Sequence, residues 1–133
     1  MHITPYLNFN GTCREAFDFY AGLLGGEVEF IQTFGESPMA GDVPPDWHGA
    51  VMHASLRYPG GQLMASDAPG DMFKPAQGLW VSLHVESEDE ADRLWAGLAE
   101  GGTVGMPLEK TFWAKRFGMV TDRFGTPWMV NCA

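Results

Sequence analysis

Two stretches of the chain carry apolar residues at three- and four-residue intervals, which places side chains on one face of an α-helix. These positions are Ala16, Phe19, Tyr20, Leu23 and Leu24 in the first half, and Ala91, Leu94, Trp95, Leu98 and Ala99 in the second. Each stretch ends in a glycine pair, Gly25-Gly26 or Gly101-Gly102, which permits a left-handed turn. The pattern predicts two amphipathic helices that end in tight turns.

Both predicted helices begin with the same polar signature. Thr12-Cys13-Arg14-Glu15 has the form of a capping box, in which a hydroxyl and a carboxylate bind free backbone N–H groups. Ser87-Glu88-Asp89-Glu90 repeats this form 75 residues later. We therefore expect Thr12 and Ser87 to cap the two helices.

Segments rich in β-branched and aromatic residues, bounded by Gly and Pro, predict eight strands. They lie at about 3–9, 27–34, 50–58, 62–67, 79–85, 103–110, 116–122 and 127–132. Each helix follows one strand and precedes three others. The order predicts an α+β fold built from two βαβββ modules, at about residues 1–68 and 78–133, which share one core as a single domain.

The two modules differ in one connection. The helices repeat at an offset of 75, but Gly60-Gly61 and Gly125-Thr126 repeat at 65, so the first module carries about ten more residues. Gly and Pro place these residues in the segment Gly35–Gly49, which is predicted to be a loop over the body of the domain. Ala68–Gly78 is predicted to join the modules.

Composition excludes several classes of partner. Seventeen acidic against eight basic residues give a formal charge of −9, which repels nucleic acids. No stretch is apolar enough to span a bilayer and the N-terminus lacks a secretion signal, so a cytoplasmic protein is expected. Cys13 and Cys132 are far apart without a CxxC spacing, so both are expected to be reduced.

Several segments resemble one family of proteins. They are Pro5–Gly11, Lys110–Val120, Asp122–Gly125 and Trp128, and the likeness runs from about Ile3 to Cys132. In these segments the chain is similar to the PhnB-like branch of the glyoxalase/bleomycin-resistance, or vicinal-oxygen-chelate, superfamily. The resemblance implies that the two modules form curved mixed sheets around a cup that binds a small molecule, within one chain or between swapped chains, and that the protein is a homodimer.

The resemblance also allows a test for a metal site. Metal-dependent members hold their ion near the start of the first strand and at the end of the fourth strand of each module, and these positions fall at Thr4, Met64, Trp80 and Met129. Thioether and indole groups are poor ligands for hard or borderline divalent ions. We expect no metal and no other cofactor. A register shift of one residue would bring in Asp67, His53 or His84 instead.

Alternation along the strands predicts the residues of the cup. Leu79, Val81, Leu83 and Val85 alternate with Trp80, Ser82 and His84, and the aliphatic set is expected under the helix. Trp80, Ser82 and His84 then face the ligand, with Thr4, Tyr6 and Asn8 as their counterparts in the first module. Met64 and Met129 are expected to form an adaptable apolar floor.

One segment combines positive charge with aromatic surface. Lys110, Lys115 and Arg116 flank Phe112 and Trp113 in an otherwise acidic chain, which suits an anionic, partly apolar ligand. Trp113 and Arg116 are therefore candidate binding residues. The alternative is that the rings pack while the cations extend into water.

Residues with catalytic chemistry are few. His84 is a weak candidate for a general acid or base, and His53 a weaker one. Cys13 lies where a helix dipole lowers a thiol pKa, although a structural thiol is favoured. Glu109, Asp122 and Asp67 supply carboxylates, although acids at turns and strand ends usually bind backbone amides.

These observations leave three functions open. The favoured one is a module that binds a small amphipathic or anionic molecule. The second is a lyase- or transferase-type enzyme, dependent on a metal through displaced ligands or metal-free with His84 as acid/base. The third is a structural or regulatory dimer. Methyl transfer is disfavoured because Leu24-Gly25-Gly26 follows a helix, whereas methyl-donor sites usually need a glycine-rich turn after a parallel strand.

Overall fold

The computed structural model describes residues 1–133 and divides the chain into two compact units, Met1–Pro75 and Ala76–Ala133. Each unit has one strand, one helix and three further strands in chain order. The α+β class and the two βαβββ modules are thereby confirmed. The single domain with a shared core stays a prediction.

Unit 1 contains one helix and a four-stranded mixed sheet. Its elements are β1 (Tyr6–Phe9), α1 (Cys13–Leu24), β2 (Glu27–Thr33), β3 (Val51–Tyr58) and β4 (Gly61–Asp67). The strand order is β1-β4-β3-β2, with β1 parallel to β4 and the other pairs antiparallel. The first strand begins later than predicted because Pro5 has no N–H for the ladder.

Unit 2 repeats this topology. Its elements are β5 (Val81–Val85), α2 (Glu88–Ala99), β6 (Thr103–Glu109), β7 (Arg116–Thr121) and β8 (Pro127–Cys132). The strand order is β5-β8-β7-β6, again with a parallel first pair. Both helices are 12 residues long, and no helix of the chain is long and apolar enough to cross a membrane.

In each unit the helix covers one face of the sheet. In unit 1 the rings of Phe9, Phe17 and Tyr20 are fully buried and their centroids lie 6.2–6.5 Å apart. In unit 2, α2 packs on β7 and β8. A Cβ atom on Gly118 of β7 would lie 2.6 Å from the Trp95 ring, so this glycine makes room for the helix. The opposite face of each sheet carries no helix of its own unit.

The two helix starts differ. The Ser87 hydroxyl accepts a hydrogen bond from the Glu90 N–H at 3.1 Å, which confirms this cap. The predicted Thr12 cap is wrong, because the Thr12 side chain makes no capping hydrogen bond. Asp67 of β4 takes over: its Oδ1 accepts from the N–H groups of Gly11 and Cys13, at 2.9 and 3.0 Å. A residue distant in sequence satisfies these donors.

Candidate functional site

The open face of unit 1, opposite α1, brings together five polar or polarisable side chains. They are Tyr6, Asn8, His53, Met64 and Ser66. Tyr6 lies beside Met64 and Asn8 beside Ser66 in the parallel pair β1/β4. The Ser66 hydroxyl donates to Asn8 Oδ1 at 3.1 Å. Tyr6, Asn8 and Met64 therefore share one surface, and Thr4 precedes the strand that carries two of them.

Tyr6 and His53 form the main polar contact of this face. The Tyr6 hydroxyl lies 3.0 Å from His53 Nδ1, and the two rings stack with centroids 5.7 Å apart. The Phe30 ring also contacts the imidazole, with the two ring centroids 5.8 Å apart. The imidazole of His53 is thus held by two rings and a hydroxyl, which the sequence pattern did not reveal.

The open face of unit 2, opposite α2, carries the corresponding set Ser82, His84, Met129 and Asn131. Ser82 Oγ lies 3.2 Å from His84 Nε2, and Asn131 Nδ2 lies 3.5 Å from His84 Nδ1. Ser82 is the register partner of Met129, as Tyr6 is of Met64. The structure therefore brings Ser82, His84 and Met129 together, and Trp80 lies just before β5, 39% exposed.

Arg116 lies on the opposite face from these residues. It is the register partner of Cys132, which is buried, and its guanidinium reaches α2. Nε lies 3.3 Å from Asp92 Oδ1, and a terminal nitrogen lies 3.7 Å from Glu88 Oε2. The structure does not group Arg116 with Ser82 and His84, because strand alternation places it on the face that α2 covers, where it pairs with two acidic side chains.

Two aromatic residues that precede β7, Phe112 and Trp113, are largely exposed to solvent. Phe112 is 97% and Trp113 is 50% exposed, and their centroids are 4.7 Å apart. The Trp113 ring also contacts the Phe117 ring, with the two ring centroids 5.3 Å apart. Phe117 is the register partner of Asn131, so the Trp113 ring contacts a residue of the unit 2 open face.

Two of the predicted carboxylates bind backbone groups. Asp67 is 3% exposed; its Oδ2 accepts the Val51 N–H at 2.9 Å, while its Oδ1 accepts the N–H groups of Gly11 and Cys13. Asp122 accepts the N–H groups of Phe124 and Thr126 and the indole N–H of Trp128, at 2.8–3.0 Å. Both therefore have the amide-binding role that strand-end acids usually take. Glu109 lies exposed at the end of β6.

Cys13 is a structural thiol. Its side chain has no exposed surface. Burial, reinforced by the negative charge of Asp67, raises the pKa of the Cys13 thiol to about 12, and Arg14 opposes this only in part. The helix dipole does not overcome these effects, so the thiol stays protonated near neutral pH, which favours a structural role over a nucleophilic one. Both cysteines are free and buried.

The four positions at which the resemblance would place metal ligands, Thr4, Met64, Trp80 and Met129, carry no carboxylate and no imidazole. Met64 and Met129 occupy strand positions beside Tyr6 and Ser82, where a carboxylate or imidazole would be needed. No group of three or more His, Cys, Asp or Glu side chains is arranged to hold an ion.

A cavity of about 470 Å³ lies within unit 1, between the ends of β1 and β4 and the long loop 35–49. Its apolar wall includes Phe34, Met39, Val43, Met52, Pro69 and Met72. Four polar residues complete the lining, namely Asn8, Asp42, Ser66 and Asp67. Asn8 and Ser66 belong both to the cavity and to the unit 1 open face.

Internal hydrogen bonds shape the loop that walls this cavity. The Gly35 N–H donates to the His48 carbonyl at 3.0 Å, and His48 Nε2 lies 2.8 Å from the Ala40 carbonyl. The Ser37 hydroxyl donates to the Phe34 carbonyl at 2.8 Å. Two short 3₁₀ turns, Ala40–Asp42 and Pro45–Trp47, complete the loop. The predicted insertion is therefore an ordered loop, held by its own hydrogen bonds, that forms one wall of the cavity.

Sequence reasoning found this loop but missed the cavity. Met39, Met52 and Met72 come from three separate segments, so no periodic pattern joins them. The available signal was the change of offset from 75 to 65, which marks where the first module departs from the second.

Comparisons with known proteins agree with this architecture. Residues 1–131 match the family described as 3-demethylubiquinone-9 3-methyltransferase. Protein YjdN of Escherichia coli (strain K12) is 37% identical over 98% of this chain and 95% of its own.

Solved structures extend the comparison. Protein PA1353 from Pseudomonas aeruginosa is 52% identical over 99% of this chain and 97% of its own, with a TM-score of 0.90. The PhnB protein from Bacillus cereus, described as a putative 3-demethylubiquinone-9 3-methyltransferase, is 29% identical over the whole of both chains, with a TM-score of 0.85. The fosfomycin resistance protein FosX from Listeria monocytogenes shares the fold alone, at 10% identity and a TM-score of 0.64 over 100% of this chain and 93% of its own. The chain belongs to the family described as 3-demethylubiquinone-9 3-methyltransferase, and the resemblance to PhnB-like proteins is confirmed.

Proposed function

We propose that this protein binds a small amphipathic molecule and that the cavity of unit 1 holds it. The observation that carries the proposal is the cavity of about 470 Å³ behind the loop 35–49. Ligand pockets in proteins usually measure about 300–1,000 Å³ and combine apolar walls with a few polar groups. The cavity has this size and composition.

The wall chemistry favours a ligand with an apolar body. Eight of the twelve lining residues are apolar, and three of them are methionines. Methionine side chains are flexible and polarisable, so they adapt to ligands of different shape. The amide of Asn8 and the hydroxyl of Ser66, joined at 3.1 Å, offer hydrogen bonds at one end. An amphipathic molecule satisfies both parts of this wall.

A matched pair of variants tests the site. Ser66→Leu places an isobutyl group in the cavity, and Asn131→Leu makes the same change at the corresponding position of unit 2, since both residues pair with the first strand of their unit. With Nile red as a neutral amphipathic probe, we expect Ser66→Leu to weaken binding at least ~tenfold and Asn131→Leu to leave it within ~twofold. Circular dichroism and thermal unfolding establish that both variants are folded.

Equal affinities of the two variants for Nile red would contradict the proposal. If Ser66→Leu fails to fold, Met39→Ala provides a second test, because Met39 is 44% exposed and its truncation leaves the core intact. We expect this variant to lose ~two- to fivefold in affinity as apolar contact area is removed.

An enzyme is the second candidate, favoured by the contacts of His84. Ser82 Oγ lies 3.2 Å from His84 Nε2, and Asn131 Nδ2 lies 3.5 Å from His84 Nδ1. In this arrangement the imidazole can exchange a proton with the Ser82 hydroxyl while Asn131 orients the ring. Hydrolysis of p-nitrophenyl acetate tests this role. Catalysis that falls ~100-fold in His84→Ala but not in His53→Ala would support it, and a rate equal to that of free imidazole would exclude it.

Methyl transfer, named in the family description, gains no support from the glycines of this chain. Gly25 ends α1 with φ 68°, and its N–H donates to the Ala21 carbonyl. These glycines therefore cap a helix, whereas nucleotide-type cofactors usually bind a glycine turn after a parallel strand. We keep methyl transfer as a disfavoured function.

A homodimer is the third element of the proposal. Each sheet leaves large apolar side chains in water: Tyr6 and Phe30 are 49% and 47% exposed, and Val104 and Met106 are 46% and 40% exposed. A second copy of the chain that covers such surface would be stabilised by its burial. Light scattering coupled to size exclusion should report a dimer for the wild type and a monomer for Phe30→Glu, with Phe112→Glu as control. A monomeric wild type would contradict the proposed homodimer.

A cytoplasmic location also stays a prediction.

A further inference from the structure

We infer that the ligand of the unit 1 cavity is an organic cation, namely an amine or quaternary ammonium group on an apolar body. This inference rests on the proposed function, since it assigns a ligand class to the same cavity. It follows from the charges of the lining, from the hydrogen bonds that those charged groups make, and from the aromatic and thioether surface around them.

The charged groups of the lining are all acidic. Asp42 and Asp67 line the cavity, and no Lys, Arg or His does. The whole chain carries a formal charge of −9, so the long-range field has the same sign. A bound anion would face two carboxylates without a compensating cation, whereas a bound cation would be attracted by both.

The two carboxylates have different roles. Asp67 is buried and its oxygens already accept three backbone N–H groups, so it contributes charge to the wall but little hydrogen-bonding capacity. The Asp42 carboxylate is exposed, and the structure shows no hydrogen bond or ion pair to it. Its backbone N–H donates to the Met39 carbonyl at 2.9 Å, which fixes its place at the end of a 3₁₀ turn. Asp42 is thus the group that can meet an ammonium directly.

The apolar wall also suits a cation. Phe34 is 5% exposed and lines the cavity, and an aromatic face attracts ammonium groups. Met39, Met52 and Met72 provide polarisable sulfur atoms around an organic body. A bare metal ion would leave this surface unused, and thioethers are poor ligands for hard cations. The ligand class is therefore an organic cation.

Three probes with one naphthalene body test the inference. They are 1-naphthylmethylammonium, 1-naphthalenemethanol and 1-naphthoate, measured by calorimetric titration against the full chain at low and at physiological salt. We expect the ammonium to bind ~tenfold or more tightly than the carboxylate, with the alcohol between them. Added salt should reduce this difference in affinity because it screens the exposed carboxylate of Asp42.

Two variants locate the effect. Asp42→Asn should weaken binding of the ammonium ~three- to tenfold and leave the alcohol within ~twofold, as expected for one partly solvated ion pair. Asp46→Asn is the matched control, because Asp46 lies on the same loop, is exposed, and faces a different hollow beside Trp47.

The outcomes separate the two proposals. If the three probes bind equally and Ser66→Leu abolishes binding of each, the cavity is a binding site and the cation inference is overturned. Equal losses in Asp42→Asn and Asp46→Asn would also overturn it, since they would reflect net charge alone. If no probe binds, both the inference and the proposed site fail.

Discussion

The two units begin their helices in different ways, although their sequences carry the same signature. In unit 2 the hydroxyl of Ser87 caps α2 locally. In unit 1 the carboxylate of Asp67, at the end of the fourth strand, binds the chain before α1 and also the first residue of β3. The residue at the corresponding place in unit 2 is Cys132. A distant buried acid can thus replace a local cap, and it then ties three segments together.

The units also differ in the connection between their second and third strands. In unit 1 this connection folds over the end of the sheet and walls the cavity. In unit 2 it is short and carries the exposed rings of Phe112 and Trp113. The paired strands keep equivalent registers, so the sheets are conserved between the units while the connections differ. Unit-specific binding chemistry is therefore expected in the connections.

The largest effect should come from Asp67→Ala. The change leaves three backbone N–H groups without an acceptor at a buried position, so we expect a loss of about 3–5 kcal/mol in the free energy of unfolding. Urea denaturation measures it. Cys132→Ala, at the corresponding position of unit 2, should cost only about 1 kcal/mol through lost packing. Similar losses in the two variants would show that Asp67 does not join its three segments energetically.

A smaller effect should appear at high pH through Cys13. Its pKa is about 12 in the folded chain against an ordinary 9.0, so below pH 9 both folded and unfolded thiols are protonated and pH has no effect. Above pH 9 the unfolded thiol ionises first, which favours unfolding by about 1.4 kcal/mol per pH unit until the folded thiol also ionises near pH 12.

Urea denaturation at pH 8.5 and pH 10.5 tests this dependence. Between these values the wild type should lose about 2 kcal/mol more than Cys13→Ala, while other titrating groups cancel in the comparison. Cys132→Ala should keep the wild-type decline. An unchanged decline in Cys13→Ala would mean that the thiol ionises normally in the folded chain.

The smallest effect separates the two helix caps. Ser87→Ala removes an observed capping bond and should cost about 1 kcal/mol. Thr12→Ala removes a side chain that makes no capping bond, so its cost should stay below about 0.5 kcal/mol. The same unfolding experiment resolves the difference. A larger loss for Thr12→Ala would restore the local cap that the sequence predicted.

The repeat made much of the fold predictable. Helix spacing, glycine pairs and strand runs located both helices and all eight strands, because these signals depend on neighbours a few residues apart. The alternation in β5 also placed Ser82 and His84 on one face, where the structure has them. Thr12 shows the limit of local reasoning, since its capping box is intact in sequence and unused in the structure.

The sequence by itself determined the two modules, their strand alternation and the site of the insertion, because local periodicity and turn chemistry specify these features. Only the tertiary structure decided that Asp67 binds two segments distant from its own strand, that Arg116 pairs with α2, and that methionines from separate segments wall a cavity. These contacts join residues far apart in the chain. The free energy of these contacts depends on the distance between the groups and on their burial, and neither can be deduced from spacing along the sequence.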